Sequence, residues 1–317
     1  MNKVKKIFGK SSSGEISALI MLAILWIVFA IGSKYFLTFK NIMNIGSYMS
    51  IMGTMAAGLT VAMLLSGLDV SQYSLAALGG MVLGVCYENG IPAIVCILIV
   101  LLLGVIGGSI NAFIITVMRV NPVICTMGTQ FIFRGFAYLI TNGRYIRLDD
   151  ELFYFIGNGR IAGIPFCLII MLATYAVIWY ILKYTKFGRS VFAVGGNMQV
   201  AALAGINTGR TRFKCHILAG VTAVMGGIIT VTQASSCMPS QGYGNDMNGI
   251  SAVILGGISM AGGRGNVWGT LIGVAILSTL VNGMTLLGVQ TYWQQVIQGL
   301  VLIFAVFIDA MRNSNRE

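Results

Sequence analysis

Residue types that do chemistry are scarce in this sequence and poorly spaced for it. There is a single histidine, His216, beside the start of an apolar run, with no second histidine for a metal cluster or triad. It reads as structural or interfacial. Six cysteines (Cys86, Cys96, Cys125, Cys167, Cys215 and Cys237) are scattered, mostly inside apolar runs, with no C-x-x-C spacing. Such cysteines act as small buried hydrophobes. No G-x-x-x-x-G-K-[ST] occurs, and GGRG at 262–265 lacks the following Lys-Ser/Thr, so it reads as a tight hairpin rather than a phosphate cradle. Asp149, Asp150 and Glu151 form the one acidic run, the pattern of a solvated loop. The sequence offers no catalytic residue and no metal site.

What remains is a set of polar groups set singly in apolar surroundings. Asn121, Thr126, Thr129 and Gln130 fall in one apolar stretch and Asn282 in another. Polar groups inside a membrane helix face the bundle interior, where a hydrophilic solute needs hydrogen-bond partners. Asn121, Thr126, Thr129 and Asn282 are therefore candidate path residues, with helix-to-helix hydrogen bonding as the alternative use. Arg134 lies about seven residues from the end of its stretch, roughly 10 Å deep at 1.5 Å per residue. Three uses are open to it: snorkelling to headgroups, pairing with an acid, or lining a vestibule. Pairing with Asp246 is the favoured expectation, which makes Arg134 and Asp246 a candidate outer gate.

The elements that position these groups follow from composition. Of 317 residues, 57% are hydrophobic and 9% charged, against about 25% charged in a soluble domain. Most of the outside must face lipid. The net charge of +11 is not gathered into a basic patch, which argues against nucleic acid as a partner. An all-α membrane fold is expected, with about ten segments near 17–36, 43–66, 71–87, 91–118, 121–141, 164–184, 213–234, 247–262, 266–287 and 292–310. The segments 71–87 and 247–262 are short enough to be partly re-entrant.

Threading ten spans from a cytoplasmic N-terminus places Lys3, Lys5, Lys6, Lys10, Arg119, Lys183, Lys186, Arg189, Arg210, Arg212, Lys214, Arg264, Arg312 and Arg316 inside. Lys34, Lys40, Arg144, Arg147 and Arg160 fall outside. That bias satisfies the positive-inside rule with both termini cytoplasmic. One transmembrane domain over 1–317 is expected, with a cytoplasmic tail at 1–16 and a long inner loop at about 185–212.

LDVSQYSLAALGG (68–80) and NDMNGISAVILGG (245–257) share an Asp, a polar stretch and a closing Gly-Gly at equal spacing. A repeat displaced by five spans must be inverted, as in many transporters. Asp69, Glu88, Asp246 and Asp309 all sit near segment ends. Neither a deep ionisable site nor a broken helix is evident, so energy is expected to enter from a partner ATPase rather than a coupled ion.

Several stretches carry a resemblance. FGRSVFAVGGNMQVAALAGI (187–206), ISAVILGGISMAGGRGNVWGTLIG (250–273) and NGMTLLGVQTYWQQVIQGLVLIFAVFID (282–309) resemble the ribose-type family of bacterial ABC permeases. GLDVSQYSLAALGG (67–80) and NPVICTMGTQFIFRGFAYLITNGRYI (121–146) look like that family's first-half segments. The resemblance implies a multi-pass subunit of the bacterial inner membrane that imports a monosaccharide or related small sugar. It implies a second permease chain, a cytoplasmic ATPase that carries the ATP and magnesium, and an extracytoplasmic binding protein, with no cofactor in this chain. The ATPase-coupling region would comprise Gly195, Gly196, Asn197, Ala201, Ala202, Gly205, Ile206 and Asn207, although Val200 stands where a coupling glutamate would be. Gln72 and Tyr73 replace the small pair usual after Asp-x-Ser. The alternative is a secondary carrier or channel for a small polar solute.

Overall fold

The computed structural model describes residues 12–314. The basic residues Lys3, Lys5, Lys6 and Lys10 and Arg316 lie outside them, as do the side chains of Asp309 and Arg312. The described chain is almost wholly helical. In chain order the helices are α1 (Ser12–Gly32), α2 (Phe39–Met63), α3 (Gln72–Glu88), α4 (Ala93–Thr116), α5 (Pro122–Leu139), α6 (Glu151–Asn158) and α7 (Phe166–Tyr184). They continue as α8 (Lys186–Gly196), α9 (Met198–Leu203), α10 (Thr208–Gln233), α11 (Asp246–Leu255), α12 (Val267–Leu286) and α13 (Thr291–Ser314). Each expected segment contains one helix, and α6, α8 and α9 lie in the connections. Among the described residues, six helices (α1, α2, α4, α7, α10 and α12) are long and apolar enough to cross a membrane.

Helix ends follow the capping residues. Asn121 accepts from the amide of Val123 at 2.9 Å, with Pro122 in the first turn, where a missing N–H costs nothing. Asn207 opens α10 by accepting from Arg210 N at 2.9 Å. Two antiparallel two-residue pairs clip the loops: β1 (Ile146–Arg147) with β4 (Ser236–Cys237), and β2 (Arg160–Ile161) with β3 (Ile164–Pro165).

The centre of the bundle is α10, which packs on α2, α3 and α4. Small residues allow this. A methyl group on Gly104 would fall 2.8 Å from the Gly220 carbonyl oxygen, and Gly227 lies against the backbone of Ala76. Lipid tails give helices no hydrophobic drive to associate, so close backbone approach supplies the contact. On the other side, α12 packs on α1, α2 and α11. There Thr60 and Thr270 share a 2.7 Å hydrogen bond, and Gly256 meets Gly269 backbone to backbone.

Connections gather at two ends. At one, the Gly263 amide donates to Leu64 O at 2.8 Å and the Ser66 hydroxyl bonds Ala261 O, bringing the α2 terminus against the 257–265 hairpin. At the other, Glu88 and Arg144 form a bidentate pair at 2.7 and 2.8 Å.

Two breaks in the helical run adjoin the short segments expected to be partly re-entrant. Residues 67–71 run as buried irregular chain from the Ser66 end before α3 starts. From the opposite end, residues 238–245 descend before α11 starts. Helix α11 has only 10 residues, about 15 Å, half of a ~30 Å hydrocarbon core. The break at 67–71 is disguised because it follows directly on the apolar run that ends α2, whereas 238–245 are polar and mostly exposed. The two repeat-like segments also differ in form: α3 passes through Gly79 and Gly80, whereas α11 stops before Gly256 and Gly257.

Candidate functional site

Where the two interrupted segments approach each other, the bundle encloses a cavity of about 120 Å³. Helix α2 supplies Tyr48 and Met55, α3 supplies Tyr73 and Ala77, α10 supplies Thr230, and α13 supplies Gln298. The descending loop forms its roof with Gln241, Gly242 and Asn245, followed by Asn248 in the first turn of α11. Among the described residues, no acidic, basic or histidine side chain lines this cavity. Its polarity comes from amides and hydroxyls, its broad surfaces from two tyrosine rings and from methionines.

The roof is held by Arg134. Its Nη1 donates to the carbonyls of Pro239 and Gln241, both at 2.8 Å, and the guanidinium lies 5.8 Å from the Tyr243 ring centre. Arg134 and Asp246 make no ion pair within 4 Å, which corrects the expected pairing. Arg134 is 8% exposed and takes backbone carbonyls instead. Arg134 Nη2 and one Asp246 carboxylate oxygen are both buried without a hydrogen-bond partner. Carbonyls can satisfy a buried arginine as well as an acid can, and a sequence does not show which loop backbone will be in reach.

The four expected path residues lie elsewhere. Asn282 and Asn41 exchange two side-chain hydrogen bonds at 3.0 Å, tying α12 to α2. Asn121 caps α5. Thr126 accepts from Val70 N at 3.2 Å and donates to the carbonyl of Pro122 at 2.9 Å, which fastens the 67–71 break to α5. Thr129 donates to the Thr126 carbonyl. All four serve helix-to-helix or local bonds, and none lines the cavity. The lining residues Tyr48, Gln241, Asn245, Asn248 and Gln298 were missed. The signal available was the Gln72-Tyr73 departure, since Tyr73 is a wall of the cavity.

Asp69 is likewise not at a solvated end. It is 4% exposed and accepts from the amide and hydroxyl of Ser71 at 2.9 and 2.7 Å, while Asn111 donates to that hydroxyl at 2.9 Å. These bonds satisfy the irregular backbone of the break, which a membrane fold requires.

The 185–212 connection lies at the Ser66 end. Gly195 rests against the Leu64 carbonyl and the Gly263 amide, contacts that leave no room for a Cβ, whereas a Cβ on Gly196 would meet open space. Asn197 caps α9 by accepting from Val200 N at 2.9 Å. Ala201 is buried and Ala202 is exposed. Gly205 turns with φ +80°, Ile206 is half-buried, and Asn207 caps α10. Around this frame α9 exposes Met198, Val200 and, at 89%, Leu203.

Residues 41–306 match the model of the family described as branched-chain amino acid transport system, permease component. The chain is 36% identical over 309 residues to the ribose import permease protein RbsC of Escherichia coli (strain K12), covering 96% of each chain. It is 34% identical over 295 residues to the RbsC protein of Bacillus subtilis (strain 168), covering 92% of each. It is 33% identical over 307 residues to the L-arabinose transport system permease protein AraH of Escherichia coli (strain K12), covering 94% of this chain and 91% of that one. No solved structure matches.

Proposed function

This chain belongs to the family of permease components of branched-chain amino acid transport systems, and from that premise we propose that it is the membrane subunit of an ABC importer whose cargo is a monosaccharide. It is a transport component and not an enzyme. The family's description names amino acids, while the relatives are named for ribose and L-arabinose. The relatives and the cavity both favour a sugar. An amino acid carries a carboxylate and an ammonium, and removing either from water uncompensated is expensive. A cavity with no ionisable lining, rich in amides, hydroxyls and aromatic faces, suits a neutral polyol.

The full assembly is ten membrane segments in two inverted halves, with α11 reaching only part way. Packing supports the repeat: α10 lies on α4 as α2 lies on α12, and α3 meets α5 as α11 meets α13. The Ser66 end faces the cytoplasm of a bacterial cell with both termini, because Lys183, Lys186, Arg189, Arg210, Arg212, Lys214 and Arg264 flank the segment ends there. A cytoplasmic ATPase, which holds the ATP and magnesium, docks on the exposed apolar face of α9 around the Gly195–Asn207 frame. An extracytoplasmic binding protein delivers sugar to the Glu88 end, and a second permease chain completes the translocator. Arg134 and Asp246 form the outer gate by holding and anchoring the roof loop rather than by pairing.

The test is uptake of radiolabelled D-ribose, L-arabinose and L-leucine by cells with and without this chain. Loss of pentose uptake on deletion, with leucine uptake unchanged, is expected. Loss of leucine uptake alone overturns the reading.

A further inference from the structure

Tyr73 stands in an unusual place for a large residue. It occupies the first turn of α3, immediately after the 67–71 break, and is 7% exposed. Its ring is slotted between two glycines of the opposite half. A Cβ on Gly242 would lie 2.9 Å from Tyr73 Cδ1, and one on Gly249 would lie 3.7 Å from Cε2. Gly242 also has φ +71°, a conformation that side chains resist. Only glycine at 242 lets the roof loop close over this ring. Met55 and Ala76 pack behind it. Across the cavity is the second ring, Tyr48, which is 44% exposed.

We propose that Tyr73 and Tyr48 form the aromatic walls of a sugar transit site inside this chain, and that Tyr73 fixes the size of the sugar the site admits. The inference rests on the importer reading above and deepens it. An aromatic face offers a sugar ring's C–H surface a broad apolar contact. Gln241, Asn245 and Asn248 supply the complementary donors and acceptors for hydroxyls. A site with such polar groups needs them paired by its ligand, which gives selectivity beyond size. The volume of about 120 Å³ is far under the roughly 300–1,000 Å³ of a drug-sized pocket. Tyr73 is the bulky side chain whose removal enlarges that space toward the 67–71 break. Because its ring rests on Gly242, release of the roof also frees Tyr73, so widening of the site accompanies opening of the gate.

The binding protein also selects sugars, so the experiment must read this chain directly. Full-length permease in lipid nanodiscs is examined by saturation-transfer difference NMR with D-ribose, sucrose and L-leucine. In the wild type, ribose is expected to show saturation and sucrose and leucine none. Tyr73→Ala is expected to admit sucrose and cut the ribose-over-sucrose preference by about tenfold. Tyr48→Ala, at an exposed wall where folding is tolerant, is expected to weaken the ribose signal several-fold, and Tyr73→Phe to keep the size preference. A ribose-over-sucrose preference unchanged within about twofold in Tyr73→Ala, or equal signals in the wild type, overturns the assignment to Tyr73 alone. Saturation of leucine without ribose, or of none of the three, overturns the sugar reading with it.

Discussion

Arg134 Nη1 donates to the carbonyl of Gln241 at 2.8 Å, so a charge on α5 holds the roof of a cavity lined by α2, α3 and α10. A second bond of equal length reaches Pro239. Buried charge-assisted bonds of this kind contribute about 1.5–3 kcal/mol each. Arg134→Ala is therefore expected to loosen residues 238–245 selectively, read as faster amide hydrogen exchange there than in α10, and to lower transport. Because Arg134 and Asp246 make no ion pair but both act on the segment 238–246, the losses from Arg134→Ala and Asp246→Ala are expected to be less than additive. Losses that add within about 0.5 kcal/mol would show that the two hold the loop independently.

The Asn41–Asn282 amide exchange predicts a structural phenotype. Asn282→Leu removes two half-buried hydrogen bonds between α2 and α12, at a cost of about 1–3 kcal/mol. The amount of folded permease should fall, while uptake per folded molecule stays within about twofold, since Asn282 lies off the cavity. Uptake per molecule that drops by more than tenfold would return Asn282 to the path.

The sequence made an all-helical membrane chain legible because apolar runs obey bilayer physics directly, and six helices among the described residues are long and apolar enough to cross a membrane. It did not reveal the break at 67–71, where irregular chain is buried and satisfied by Ser71, Asn111 and Thr126, whereas 238–245 is a polar stretch legible as a loop. The four polar residues expected on the path make helix-to-helix or local bonds, and none lines the cavity. A threonine or asparagine in a membrane helix serves a neighbouring helix as readily as a solute, and only packing tells the two apart. Tyr73 was noticed as a departure in the sequence, but its place against Gly242 depends on the fold.

Glycine substitutions should separate close packing from open surface. A Cβ on Gly108 would lie 2.8 Å from the Ile217 Cα and meet the His216 carbonyl, whereas Gly128 has nothing within 4 Å. Gly108→Ala is expected to cost about 1–3 kcal/mol as the α4–α10 contact opens. Gly128→Ala should be neutral or stabilise by about 0.5–1 kcal/mol, since alanine favours helix. Thermal denaturation of the purified permease compares the two. Equal midpoints would refute the α4–α10 approach.

Cys237 lies in β4 and is fully buried, and burial pushes its thiol from 9.0 up to about 12. The thiolate is the reactive species, so maleimide labelling of native Cys237 should be negligible at pH 9 and rapid after denaturation. The linked stability runs the same way. The folded state keeps the proton that the unfolded chain releases, so this thiol's contribution is intact below about pH 9 and declines as pH rises toward 12. Ready labelling of the folded protein at neutral pH would contradict the β1–β4 clip.

Helix α9 carries the last prediction. Ala201 anchors it to the bundle, and Leu203 projects outward at 89% exposure beside Val200 and Met198. Its neighbours Lys186, Arg210 and Lys214 line a shallow recess with Asn207. An exposed apolar triad on a six-residue helix is either a resting place on lipid or a docking knob. The two uses respond differently to charge. Leu203→Asp would weaken docking of a partner by about 2 kcal/mol or more if Leu203 is an interface anchor. The frame of Gly195, Asn197 and the buried Ala201 is untouched, so folded permease should remain at its normal amount. The expected result is loss of co-purifying ATPase and at least about a tenfold fall in uptake. Normal uptake with the ATPase still bound would assign α9 to the lipid surface and move the coupling contact to the 257–265 hairpin, which shares that end of the bundle with Ser66.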